Sequence, residues 1–401
     1  MLIIQKYGGT SVGDCEKIQN VAARVVETKK AGHSLVVVVS AMSGETDKLL
    51  GYTKFFSKLP NEREMDMVLS AGERITSALL AIALEELGYK AISLSGRGAG
   101  MITDNSHTKA RIQMIDTSRL NALLAKDYIV VVAGFQGVTS KGEVTTLGRG
   151  GSDLSAVALA GALEADLCEI YTDVDGVYTT DPRIEPKAKK ILDNYDSVVR
   201  TYDEMLELAS MGAKVLLNRS VEMAKKLNVN LVTRNSFNHN EGTLITKEEL
   251  IMEHPIVSGI ALDKNQARVS ICNVEDRPGI AAEIFGTLSE ANINVDMIVQ
   301  TIGRDGKTDL DFTIPEVELE NTKRVLKSFE DNVESIDYDS DIAKVSIVGV
   351  GMKSHSGVAA KAFQALAEDN INIMMISTSE IKISMIIKLK YSELAIRTLH
   401  S

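Results

Sequence analysis

Short apolar runs recur along the first 247 residues, each followed by a stretch whose apolar positions return at helical spacing. Leu2–Tyr7 reads as a buried strand, and Leu35–Val39 is apolar at every position, the pattern of a strand covered on both faces in a parallel sheet. Between them, Asp14–Lys30 sets Ile18, Val21, Ala22 and Val25 on one helical face. Further strands are expected over 90–94, 128–135 and 167–172. Helices are expected over 62–87, 152–163 and 202–211, with another ending at Leu227. This alternation predicts an α/β domain over residues 1–247, a mostly parallel sheet between helices.

Near residue 265 the pattern shortens to a strand, a glycine-containing loop, an amphipathic helix and a second apolar strand. The unit is used twice. Arg268-Val-Ser-Ile271 is echoed by Lys344-Val-Ser-Ile347, and Pro278–Ile298 matches Ser356–Ile376 at 11 of 21 positions. The repeats span 265–340 and 341–401. The second reaches Ser401 directly after its last helix and lacks a closing strand, which Ile256–Leu262, within the 248–264 linker, has the length and apolarity to supply. The first repeat would then be an insertion within the second. The second also has Ser356 for Pro278, and methionines at 374–375 where the first has Asp296, so the two loops need not bind the same thing.

Composition narrows the partners. The chain has 401 residues, enough for two or three domains, and a net charge of −11. That balance argues against nucleic acid or anionic membrane as the main partner, but not against ATP, which needs only local cations. Cys15, Cys168 and Cys272 show no paired spacing, so neither a disulfide framework nor a zinc site is suggested. The apolar runs are strand-length and Leu2-Ile-Ile carries no basic leader, so a cytoplasmic protein is expected.

Candidate chemistry lies at the strand ends. Thr145-Thr-Leu-Gly-Arg-Gly-Gly-Ser-Asp153 is a glycine-rich turn opening a helix, with Ser152 at the expected N-cap and Asp153 in the first turn. Such a helix start offers unpaired N–H groups to an anion, and Arg149 adds a bidentate fork. Lys6 ends the first strand, just before Gly8 and Gly9. That order is not the usual P-loop, where the lysine follows the glycines. Ser40–Thr46 is a small-residue loop after the second strand. Gly72, inside a helix beside Glu73, suggests a close approach. The loop Thr172–Arg183 carries acids, Tyr178 and an arginine, without EF-hand spacing.

Six of these motifs, in order, resemble the aspartate kinases of the amino-acid kinase superfamily: Lys6-Tyr-Gly-Gly-Thr-Ser, Ser40-Ala-Met, Ala71-Gly-Glu-Arg74, Ala133-Gly-Phe-Gln-Gly137, Thr146-Leu-Gly-Arg-Gly-Gly-Ser-Asp153 and Thr172-Asp-Val-Asp-Gly-Val-Tyr178. The repeats look like ACT domains, amino-acid-sensing modules. The resemblance implies an N-terminal amino-acid kinase fold followed by two ferredoxin-like βαββαβ ACT units. It implies phosphorylation of the aspartate side chain by MgATP, feedback-regulated by lysine, threonine or both, in a homodimer or homotetramer joined through the ACT domains.

By the same resemblance, Lys6 with Gly8 and Gly9 neutralises the transferred phosphoryl group, and Asp153 orients Lys6 or the metal-bound phosphates. Arg149 takes the α-carboxylate and Glu73 the ammonium, with Ser40, Thr46, Gly150, Gly151 and Ser152 completing the substrate pocket. Thr172, Asp173, Tyr178, Asp181, Pro182 and Arg183 form the adenosine side, Lys214 meets the phosphates, and no all-protein metal cage is expected. Effector contacts fall on Asp276, Pro278, Gly279, Ala281, Asn294, Asp296 and Gln300 in the first repeat. In the second they fall on Ser354, Gly357, Val358, Asn372, Thr378 and Glu380. Two alternatives stay open: a sister kinase acting on glutamate, acetylglutamate or a nucleotide, and a catalytically silent amino-acid sensor. The chain's length leaves no room for a fused homoserine dehydrogenase.

Overall fold

The computed structural model describes residues 1–188, 199–210, 216–247, 256–302, 306–350, 352 and 357–401. Lys214 and Ser354 lie outside them. The described residues fall into two compact units, one holding 1–177 with 199–210 and 216–247, the other holding 178–188 with the residues from 256 onward.

The strands of the first unit are β1 (Leu2–Tyr7), β2 (Ser34–Val39), β3 (Ala91–Leu94), β4 (Met101–Thr103), β5 (Ile112–Ile115), β6 (Ile129–Ala133), β7 (Gln136–Thr139), β8 (Val144–Thr146), β9 (Leu167–Thr172), β10 (Val199–Thr201), β11 (Leu231–Asn235) and β12 (Thr243–Thr246). Its helices are α1 (Cys15–Lys30), α2 (Glu45–Phe56), α3 (Glu62–Leu69), α4 (Ala71–Glu86), α5 (Ser118–Leu124), α6 (Gly151–Ala162), α7 (Tyr202–Ser210) and α8 (Asn218–Leu227). The main sheet has eight strands in the order β10-β12-β11-β9-β1-β2-β6-β3, parallel throughout except where β11 meets β12. Along β1 the side chains alternate. Ile3 and Tyr7 join the core against α1 and α4, while Lys6 reaches α6 on the other face.

Helix α6 buries Gly151 through Ala160 without a break. Its small residues permit this, since a Cβ at Gly161 would stand 2.4 Å from Leu227 of α8. The run Glu62–Glu86 is long and apolar enough to cross a membrane by composition, yet half of its most apolar 18-residue window is buried. Its second part, α4, packs on α1 and β3, so it is a core helix.

Two sequence expectations change. The helix expected over 62–87 divides into α3 and α4 at Ser70, and the glycine-rich turn is fed by β8 rather than directly by the strand at 128–135. A second, four-stranded sheet, β5-β4-β7-β8, carries that turn. Strands of three or four residues are too short to show a period.

The second unit contains β13 (Gly259–Asp263), β14 (Gln266–Glu275), α9 (Ile280–Glu290), β15 (Ile298–Ile302), β16 (Lys307–Pro315), α10 (Leu319–Leu326), β17 (Ser335–Asp339), β18 (Ile342–Val348), α11 (Val358–Glu368), β19 (Ile373–Thr378), β20 (Lys382–Lys388) and α12 (Ser392–His400). The two sheets run β15-β16-β14-β17 and β13-β18-β20-β19. Strand β13 pairs antiparallel with β18, Ile260 opposite Ile347. The second sheet is therefore closed by a segment that precedes the first in the chain. Met297, Ile342, Met375 and Ile386 form a small core shared by the two repeats.

Candidate active site

The carboxyl ends of β1, β2, β6 and β9 lie side by side, the edge where open α/β sheets bind ligands. At this edge Lys6 is 8% exposed, and its Nζ stands 2.5 Å from Asp153 Oδ1. A lysine is tolerated in so dry a place only beside an opposite charge. Asp153 lies in the first turn of α6, where the helix dipole favours an anion. The helix begins one residue earlier than expected: its N-cap is Gly150 at φ +67°, and Ser152 sits inside the first turn. A side chain at position 150 would collide with Leu217, only 1.6 Å from the required Cβ.

The glycines let neighbouring loops approach closely at this edge. The Gly8 N–H donates to the Tyr171 carbonyl at 3.2 Å, and a Cβ on Gly8 would stand 3.4 Å from Lys6 Nζ. A Cβ on Gly9 would lie 3.0 Å from the Ala41 carbonyl oxygen, and one on Gly134 2.9 Å from Ser152. Gly72 earns its place in α4 in the same way, a Cβ there standing 2.7 Å from that of Ala41. Lys6, Gly8, Gly9, Ser40, Ala41, Glu73, Ser152 and Asp153 thus meet through successive contacts. Thr46 lies in the first turn of α2 beyond Ala41.

Glu73 is 3% exposed. Burial pushes its carboxyl up to about 7, against the opposing pull of its own N–H and that of Ala41. Among the described residues its Oε2 has no hydrogen-bond partner, a buried acceptor without a donor. Arg149, by contrast, is exposed at the turn before α6. Among the described residues its guanidinium makes no hydrogen bond or ion pair. A buried acid and an exposed guanidinium together suit the two charged ends of an amino acid.

Thr172 ends β9 and Asp173 follows it at the same edge, with the Thr172 hydroxyl donating to Asp173 Oδ1 at 3.1 Å. Ser236, which sequence reasoning did not single out, donates to the Thr172 carbonyl at 2.8 Å and bonds Ser11. Tyr178 and Asp181–Arg183 belong to the second compact unit. There Arg183 grips the Asp181 carboxylate, and the Thr179 carbonyl accepts from Ile260 N–H at 2.7 Å. Asp66 and Arg219 were also missed, although both bind the segments around Arg149. Only a short motif around each could have marked them, and neither has one.

In the second repeat, Gly357, Val358, Thr378 and Glu380 line one cavity of about 610 Å³ with Met352 and Ile383. Asn372 is exposed just before β19. In the first, Gly279 caps α9 at φ +98°, beside exposed Asp276 and Pro278 and ahead of half-buried Ala281. Asn294 and Gln300 are exposed on the way into and along β15. The Asp296 carboxylate is already held by the Lys344 ammonium of β18, which is 4% exposed.

The first unit has the amino acid kinase fold: a profile described as the amino acid kinase family matches residues 1–235, and ACT-domain profiles match 268–334 and 345–401. An aspartokinase of Helicobacter pylori is 71% identical, covering 100% of this chain and 98% of its own length. An aspartokinase of Pseudomonas aeruginosa is 52% identical over 100% of this chain and 97% of its own. Among solved structures, E. coli aspartokinase III in complex with aspartate and ADP (R-state) is 25% identical. It superposes with a TM-score of 0.83, covering 100% of this chain and 99% of that one. The chain belongs to the aspartokinases of the amino acid kinase family.

Proposed function

We propose that the chain transfers the γ-phosphoryl group of MgATP to the side-chain carboxylate of L-aspartate. The product is 4-phospho-L-aspartate, formed in the first step of lysine, threonine and methionine biosynthesis. The observation that carries this reading is the buried Lys6–Asp153 pair at the start of α6, on an edge where Gly8 and Gly9 let the backbone approach closely. A free carboxylate, with a pKa of about 3.9, is already ionised at neutral pH, so the attacking oxygen needs no general base. That oxygen bonds the γ-phosphorus as the bond to the ADP oxygen breaks, and ADP leaves with the electron pair.

Catalysis is then mainly positioning and charge neutralisation. Lys6 sits beside the phosphoryl group in flight, helped by the Gly8 and Gly9 amides, and Asp153 holds the lysine in place. Arg149 takes the α-carboxylate and Glu73 the ammonium, with Ser40, Thr46, Gly150, Gly151 and Ser152 around them. Thr172, Asp173, Tyr178, Asp181, Pro182 and Arg183 serve the adenosine and ribose, and Lys214 the phosphates. Mg²⁺ enters as part of the nucleotide substrate, bound through its phosphates. Effector amino acids bind the repeats, and a homodimer or homotetramer pairs them between subunits. The cavity at Gly357, Val358, Thr378 and Glu380 supports a site on the second repeat.

The test is ADP release from MgATP with aspartate and glutamate as separate acceptors, each with and without lysine and threonine. Turnover on aspartate, suppressed by either amino acid or by both, is expected. Turnover without any effector response leaves the kinase and removes the sensing role; no turnover on either acid overturns the kinase. One methylene is worth only about 1–3 kcal/mol, so the acceptor comparison is needed to separate aspartate from glutamate.

A further inference from the structure

Arg149 rides on an exposed turn, and what fixes its position is the backbone beneath it. That backbone is tied down from two sides. On one side stands Asp66 of α3, 0% exposed. Its Oδ1 accepts from the Thr146 hydroxyl at 2.6 Å and from the Thr108 N–H at 3.0 Å, and its Oδ2 lies 2.7 Å from His107 Nδ1. Thr108 holds a φ of +63°, which a β-branched residue adopts only when its surroundings enforce it. Its carbonyl oxygen stands 3.2 Å from where a Cβ on Gly148 would be, so this bend backs directly onto the glycine-rich turn.

On the other side stands Arg219, near the start of α8. Its Nη1 donates to the Leu147 carbonyl at 2.6 Å and its Nη2 to the Ala110 carbonyl at 3.1 Å. The Ala110 N–H in turn donates to the Thr146 carbonyl at 2.9 Å. One carboxylate and one guanidinium therefore join segment 107–110 to segment 146–148, immediately before Arg149. Bonds to ionised groups are about twice as strong as neutral ones, which suits a fixed backbone under an exposed side chain.

We propose that Asp66 and Arg219 are positioning residues for the amino-acid substrate, setting the height of the turn from which Arg149 meets the α-carboxylate. The inference rests on the aspartate kinase reading and names a regulator of substrate geometry within it. Both act through the segments 107–110 and 146–147 that they bind. Their loss is felt as a misplaced carboxylate grip rather than as lost chemistry.

The experiment is steady-state kinetics of full-length Asp66→Asn and Arg219→Lys, with thermal melts of each. Asp66→Asn keeps the shape but cannot accept at both atoms. Arg219→Lys keeps the charge but reaches one carbonyl, and serves if the buried substitution fails to fold. A rise of about tenfold or more in aspartate KM, with ATP KM within about twofold, is expected for both. In an Arg149→Ala background, Asp66→Asn should add little further loss in kcat/KM for aspartate, because it acts through that arginine. An unchanged aspartate KM, equal rises in both KM values, or full additivity with Arg149→Ala would overturn the proposal. Absence of turnover in the parent protein would instead overturn the kinase reading itself.

Discussion

At the scale of single residues, burial decides what each charged group can do. Lys6 is held by Asp153 in a nearly dry site, so its ammonium is in place before substrate arrives, and in the proposed role it is needed most as the transition state forms. Lys6→Ala should therefore lower kcat far more than it weakens ATP binding, measured by steady-state rates beside a nucleotide titration. Equal losses in both would contradict that role.

Glu73 offers a pH test. Its carboxyl ionises near 7 in the folded protein because it is buried, against 4.5 as the ordinary value. Between these values the folded state keeps a proton that the unfolded state has lost, so stability falls as pH rises through this window. Glu73→Gln should be more stable than the parent above pH 7 and gain little below 4.5, as read by thermal melts. An ammonium needs the ionised form, so kcat/KM for aspartate should fall as pH drops below about 7. Glu73→Ala should chiefly raise the aspartate KM, and a normal KM would exclude ammonium binding.

At the scale of elements, the glycine-rich turn shows how a short motif commits a whole helix start. Gly150 is left-handed and faces Leu217, so Gly150→Ala adds both backbone strain and a collision. A loss of about 1–3 kcal/mol or more is expected in denaturant melts, with a raised aspartate KM. Motif and position were legible in sequence because glycine, hydroxyl and acid occur together at a helix start. The cap itself was not. Ser152 has the composition of an N-cap, but the left-handed Gly150 takes that place and the serine packs against Gly134. The small sheet beneath the turn was equally hidden, because its stability comes from pairing between segments rather than from any period within one.

At the scale of the whole molecule, the second repeat depends on a strand that comes before the first. Ile260 of β13 is buried with Ile347, Leu366 and Ile396 in one core. Deleting 256–262, or placing a charge by Ile260→Asp, should strip amide protection from residues 342–401 in hydrogen exchange while leaving the kinase sheet protected. Unchanged protection there would show that the strand is dispensable. The Lys344–Asp296 pair links the repeats at one of the proposed effector contacts. An amino acid using that carboxylate has to displace a buried lysine first.

The sequence by itself determined what is local: the alternation of strands and helices, the repeat, and the glycine, hydroxyl and charged motifs at strand ends. Periods of two and 3.6 residues, and the special conformations of glycine, are written over a few neighbouring positions. Only the tertiary structure decided which of those ends adjoin. It brought Lys6 against Asp153 and Glu73 against Ala41, carried Tyr178–Arg183 into the second unit, and recruited Asp66 and Arg219 beneath the turn of Arg149. The physical reason is that strand order and burial are properties of the closed core. A buried charge must find its partner wherever packing brings one, however distant in the chain.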